Sequence, residues 1–325
     1  MRCISRAKSA ALVCVASISL FTGGCIGGKG ATPVTAYELK NYNQDLYQGK
    51  LYAEELCVAQ NDVALEGYTE DTELHSAALF DLTGERVLYS YKAHERLYPA
   101  STTKIMTALL AIENANLDDQ VTISGNADAS SFPADAQVCG LAKGEVWTLR
   151  DLLGALLLYS GNDAATAIAE YVGGSEEAFV NMMNRRAQEL MANGTHFMNP
   201  HGLHDDNHYT TAYDLYLIFN ECIKHEDFVN IIQSEAYTAY YTDVDGNSQE
   251  ALFTPTNLYA QGEVDVPENV TIVGGKTGTT DEAGYCLILM EKDSSDNPYI
   301  SIVMGASEKP VLYEDMTSLI EAIPS

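Results

Sequence analysis

The chain reads as an α+β protein in which one sheet is assembled from distant segments. Three observations predict this. Strand-like runs cluster near the start and the end of the folded region. A series of capped apolar helices lies between them. No internal repeat or heptad run interrupts the pattern.

The elements follow in order. Ala77 to Leu82 and Arg86 to Tyr91 are β-rich runs around Thr83-Gly84, which predicts a hairpin. Ser101 to Asn114 reads as a helix with Ile105, Met106, Leu109 and Ile112 on one side. Thr148-Leu149-Arg150-Asp151 resembles a capping box, with Asp in place of Glu, ahead of an apolar helix to Leu158. Ser160-Gly161-Asn162 breaks that helix, and Asp163 to Val172 resumes it. Gly173-Gly174 stops the run, Ser175 caps a helix over Glu176 to Ala192, and Thr211 with Asp214 caps another to about Glu221. A hairpin is predicted for Tyr237 to Val244 and Gln249 to Thr254 over Asp245-Gly246. Val270 to Val273, Tyr285 to Glu291 and Tyr299 to Gly305 are further strands, and Glu314 to Ala322 is a closing helix.

The N-terminus reads separately. Arg2, Arg6 and Lys8 precede an apolar run of about a dozen residues, short of the ~20 that span a bilayer. Small residues then lead to Cys25, so 1–25 is expected to be an export signal. The same pattern resembles a lipobox, in which Cys25 would carry lipid. An ordinary signal with an incidental cysteine is the alternative, and Thr22 stands where Leu is usual. Residues 26–50 read as a tether and 51–325 as the folded domain. A flexible tether of ~25 residues reaches roughly 25–30 Å.

A formal charge of −28 excludes nucleic acid and anionic lipid as charge-driven partners. Cys57, Cys139, Cys222 and Cys286 are widely spaced and form no CxxC pair, which argues against a zinc site. Disulfides and buried thiols both remain open for them.

Three short motifs carry chemistry. Ser101-Thr102-Thr103-Lys104 puts an amine three residues after a hydroxyl, on one helix face. A Ser at a helix start also meets free N–H groups that suit a developing oxyanion. Ser160-Gly161-Asn162 adds a second hydroxyl and an amide on a tight turn. Lys276-Thr277-Gly278-Thr279 follows a strand. Lys276 and the hydroxyls suit a carboxylate, and Gly278 allows a ligand close to the backbone. The phosphate-loop pattern GxxxxGK[ST] does not fit this segment. Each motif alone is weak, since an N-capped helix, a helix–helix turn and a flexible loop would look the same.

The order SxxK, SxN, KTG resembles the penicillin-binding and serine β-lactamase superfamily. Tyr98 to Leu110, Leu156 to Ala165 and Thr195 to Leu203 resemble its D-alanyl-D-alanine carboxypeptidases. The resemblance implies a β-lactamase/transpeptidase-like fold, an antiparallel five-stranded sheet flanked by helices, with a mostly helical lobe and the site between them. It implies acyl transfer by Ser101, with neutral Lys104 as base, Ser160 as proton relay and Asn162 orienting the peptide. Lys276, Thr277 and Thr279 would hold the substrate carboxylate, and the backbone N–H groups of Ser101 and Thr279 an oxyanion. The expected substrates are exported peptidoglycan stem peptides ending in D-Ala-D-Ala, with β-lactams as inhibitors. A transpeptidase, an endopeptidase, a β-lactamase and a catalytically silent wall-binding protein are the rivals. No ExxLN stretch is present for a class A β-lactamase. Two departures from the resembled family stand out. No C-terminal β domain is recognisable, which would leave membrane attachment to Cys25. No Arg follows Arg186, although some relatives use one for the carboxylate. His201, His204 and His208 with Asp205 and Asp206 could be metal ligands. Their segment matches a structural loop of the family, so neither metal nor cofactor is expected.

Overall fold

The computed structural model describes residues 55–65 and 75–324. The expected signal, tether and Cys25 lie outside the described residues. β1 (Ser76–Asp81), β2 (Arg86–Tyr91), β7 (Val270–Thr280), β8 (Gly284–Asp293) and β9 (Pro298–Ala306) form one sheet in the order β2-β1-β9-β8-β7. Every pairing is antiparallel. The N-terminal hairpin thus docks on the C-terminal strands, as the distant strand runs predict.

Both faces of this sheet are buried, which is why its central strands read as continuous apolar runs. Ile288, Met290, Ile300, Ile302 and Met304 face the main core. Leu287, Leu289, Tyr299 and Val303 alternate with them into a second core. The helix that closes the second core, Lys309–Glu321, is a full turn longer than expected at its start, with Pro310 in its first turn.

The helical lobe holds α1 (Lys104–Asn114), α2 (Leu149–Gly154), α3 (Asn162–Gly173), α4 (Glu176–Glu189), α5 (Ala212–Cys222) and α6 (Glu226–Ile232). All three expected caps form: Asp151, Ala178 and Asp214 donate their N–H groups to Thr148, Ser175 and Thr211. α1 departs from the one-sided reading. It is buried all round from Lys104 to Ala111, because it runs through the centre of the lobe. A smaller sheet, β3 (Gln120–Thr122), β4 (Val146–Thr148), β5 (Tyr237–Thr242) and β6 (Ser248–Phe253), borders the lobe. Its hairpin β5–β6 was expected; the three-residue strands β3 and β4 are too short to leave a periodic signal. A short helix α7 (Leu258–Gln261) leads towards β7, and α8 is the closing helix Lys309–Glu321. Cys57, Cys139, Cys222 and Cys286 are free thiols.

Candidate active site

The three motifs converge from separate elements. Ser101 sits in a 3-10 turn, Ala100–Thr103, that winds directly into α1. The turn is tight: Ala100 has φ +47° and Thr102 Oγ1 donates to the Pro99 carbonyl at 2.7 Å. Ser160 ends a π-helical turn, Ala155–Tyr159, in the left-handed region at φ 71°, and Asn162 opens α3. Lys276 to Thr279 lie inside β7 rather than after its end, so the motif is part of an edge strand.

Two lysines reach into the site from opposite sides. Lys104 is wholly buried; its Nζ donates to Asn162 Oδ1 at 2.7 Å and to the His201 carbonyl at 2.6 Å, and lies 2.8 Å from Ser101 Oγ. Burial, reinforced by the charge of Lys276, pushes its pKa well below the usual lysine range. A neutral amine has two N–H groups and one lone pair. With the N–H groups held by Asn162 and His201, the lone pair faces the Ser101 hydroxyl. Lys276 is also buried; it donates to Ser160 Oγ and to the Thr277 carbonyl, each at 2.9 Å. Burial lowers its pKa to about 7.

A cleft of about 970 Å³ opens over these groups, with Ser101, Ser160, Asn162, Thr277 and Thr279 along it. Gly278 lets β7 approach the nucleophile turn. A methyl there would stand 3.0 Å from the Ser101 and Thr102 nitrogens and 2.9 Å from the Pro99 carbonyl oxygen. The Thr277 hydroxyl is bonded to that of Thr256 at 2.6 Å.

The histidines are engaged within the fold. His208 Nε2 meets Thr103 Oγ1 at 2.9 Å, and His201 Nδ1 accepts the Leu203 N–H at 3.1 Å. Burial holds His201 down at about 3 and His208 at about 4, so both rings are neutral. His204 stands apart, 3.3 Å from Asp206 and 3.9 Å from Glu282. Among the described residues the acid–histidine group with metal-like spacing is Glu113, Glu221 and His225, and Arg186 already pairs with both glutamates.

Sequence reasoning missed the His201 carbonyl, Thr256, Lys309 and Asp163. The carbonyl has no sequence signature, and Thr256 and Lys309 reach the cleft only through tertiary packing. Asp163 did leave a signal: it follows Asn162 directly and opens an apolar helix.

A model of the D-alanyl-D-alanine carboxypeptidase family matches residues 64–308. The chain belongs to this family. It is 34% identical over 254 residues to the D-alanyl-D-alanine carboxypeptidase DacF of Bacillus subtilis, covering 77% of this chain and 61% of that one. It is 31% identical to DacC of Escherichia coli, covering 74% and 59%. The chain therefore spans about three fifths of the length of these curated relatives. Among solved structures, the Streptomyces K15 DD-transpeptidase superposes with a TM-score of 0.72 at 28% identity, covering 78% of this chain and 98% of that one. Penicillin binding protein 5 from Haemophilus influenzae gives 0.68 at 27% identity, covering 78% and 72%. The five-stranded antiparallel sheet with its helical lobe is the fold of this carboxypeptidase family, and the three motifs meet between the two parts of it.

Proposed function

We propose that the protein is a serine-type D-alanyl-D-alanine carboxypeptidase that trims peptidoglycan stem peptides through an acyl-enzyme. The observation that carries this is the contact of a wholly buried, pKa-depressed Lys104 with Ser101 Oγ. A base that is neutral at working pH is what a serine nucleophile needs. Lys104 takes the Ser101 proton as Oγ bonds to the carbonyl carbon of the penultimate D-Ala. The Ser101 and Thr279 N–H groups receive the oxyanion, each such donor lowering the barrier by about 3–4 kcal/mol. The proton passes through Ser160 to the departing nitrogen, the C–N bond breaks and D-Ala leaves. Water then hydrolyses the ester. Asn162 orients both Lys104 and the peptide. Lys276 contributes its charge from beneath Ser160, and Thr277 and Thr279 meet the terminal carboxylate.

The test is product analysis with a pentapeptide ending in D-Ala-D-Ala, beside labelling with fluorescent penicillin. Release of D-Ala without a cross-linked product is expected. Ser101→Ala should abolish both labelling and turnover while the fold persists. Dimeric product instead would make the enzyme a transpeptidase, and label on the Ala variant would place the nucleophile elsewhere.

Export and lipid attachment at Cys25 complete the proposal. The basic start, short apolar run and small residues before Cys25 support it. Intact-mass analysis of membrane-fraction protein should show an acylated Cys25 as the first residue, and Cys25→Ser should release the protein. Cleavage elsewhere with no acyl mass would overturn this.

A further inference from the structure

Ser160 is held in a conformation that serine rarely adopts, at φ 71° and ψ 31°, with its hydroxyl on Lys276. A non-glycine residue persists there only when its surroundings over-determine it. The surroundings are unusual. Asp163, three residues on, is wholly buried, yet it has no cationic partner among the described ion pairs. Its carboxylate instead accepts backbone N–H groups from two segments. Oδ1 takes Cys139 and Ala164, both at 2.9 Å; Oδ2 takes Gly140 at 2.9 Å and Leu141 at 3.0 Å. These four bonds occupy both oxygens and tie two chain segments to one side chain.

The loop so captured wraps the Ser160-Gly161-Asn162 turn. The Gln137 carbonyl accepts the Asn162 N–H at 2.8 Å, and the Gln137 amide donates to the Tyr159 carbonyl at 3.3 Å. Cys139 Sγ lies so close to Gly161 that a methyl there would overlap it. Further along, Pro133, Asp135 and Gln137 line the cleft.

We infer that Asp163 is a positioning residue that locks loop 137–141 around the Ser160–Asn162 turn and so sets the hydroxyl that relays the proton to the leaving nitrogen. It touches neither substrate nor the reacting atoms. The inference rests on the acyl-transfer reading above. It adds that leaving-group protonation depends on a carboxylate outside the three motifs.

The test separates protonation from general damage by changing the leaving group. An amide nitrogen cannot depart without a proton, whereas the alkoxide of a D-lactate ester leaves with far less help. kcat/KM is measured for a pentapeptide ending in D-Ala-D-Ala and for the depsipeptide ending in D-Ala-D-lactate. Asp163→Asn sets an NH2 group against two of the four N–H donors. It should lower the amide value at least ~10-fold more than the ester value, within the roughly 100- to 10,000-fold that positioned acid–base groups contribute. If that variant does not fold, Gly161→Ala strains the same junction from the other side. Cys139→Ala in the same chain removes the sulfur that collides and should restore part of the amide activity. Equal losses on both substrates, or none, would overturn the inference. Wild-type protein inactive on both would instead overturn the proposed function.

Discussion

Single side chains in this fold act through what surrounds them. Glu291 shows this away from the cleft. It follows Leu287 and Leu289 on the face of β8 that meets α8, and it is wholly buried. Neither carboxyl oxygen has a hydrogen-bond partner in good geometry among the described residues, although Ser301 lies beside it. Burial raises its pKa from 4.5 to about 8. The folded state therefore binds a proton that the unfolded chain has released. Stability from this group is fully present below about 4.5 and declines as pH rises through 8. At pH 7 the cost is at most roughly 3–4 kcal/mol. Glu291→Gln should flatten the fall in unfolding free energy between pH 5 and pH 8 and raise stability most at the upper end. Urea melts at the two pH values read this directly, and an unchanged slope would show that Glu291 is ionised in the fold. The sequence could not reveal the residue, because a glutamate that ends an apolar run reads as the solvent boundary of a strand.

At the scale of elements, what was legible was local. Caps at Thr148, Ser175 and Thr211 and the hairpin β5–β6 follow from residues near in sequence, and they formed. The three motifs were legible because their spacings are fixed by a helix, a turn and a strand. What stayed hidden was how elements press on one another. The segment 195–203 was recognisable by resemblance, but its job of bringing the His201 carbonyl to Lys104 depends on a close approach to another turn. Gly202 makes that approach at φ +91°, and a methyl there would overlap the Ala100 carbonyl. Gly202→Ala combines left-handed strain with overpacking, each of roughly 1–3 kcal/mol. It should lower unfolding free energy by about 2 kcal/mol or more and slow penicillin acylation, since the Lys104 acceptor moves with the loop. A variant that loses stability but acylates at the wild-type rate would show that the Asn162 contact alone orients Lys104.

For the whole molecule, charge sets the terms of encounter. The chain carries −28, and its proposed ligands, a peptide carboxylate and penicillins, are anions. The cleft does little to offset this at its mouth, where Asp135, Asp281 and Glu282 lie along the lining. Lys276 is buried beneath Ser160 and bonded there. Among the described lining residues Lys309 supplies the one lysine or arginine, from the exposed first turn of α8. It has no partner among the described ion pairs. Like-charged partners associate faster as salt screens them, and the Debye length falls from about 30 Å at 0.01 M to about 8 Å at 0.15 M. The second-order acylation rate with an anionic penicillin should therefore rise with ionic strength, while the rate with its neutral methyl ester stays nearly flat. Lys309→Glu changes the local charge by two and should lower the low-salt rate with the anion several-fold, steepening its salt dependence and leaving the ester almost untouched. Stopped-flow acylation at several salt concentrations measures all of this. If Lys309→Glu slows anion and ester alike at every salt concentration, the side chain acts through packing at the start of α8. If neither changes, the anion is guided by buried Lys276 alone, and the acidic surface lies too far from its path to matter.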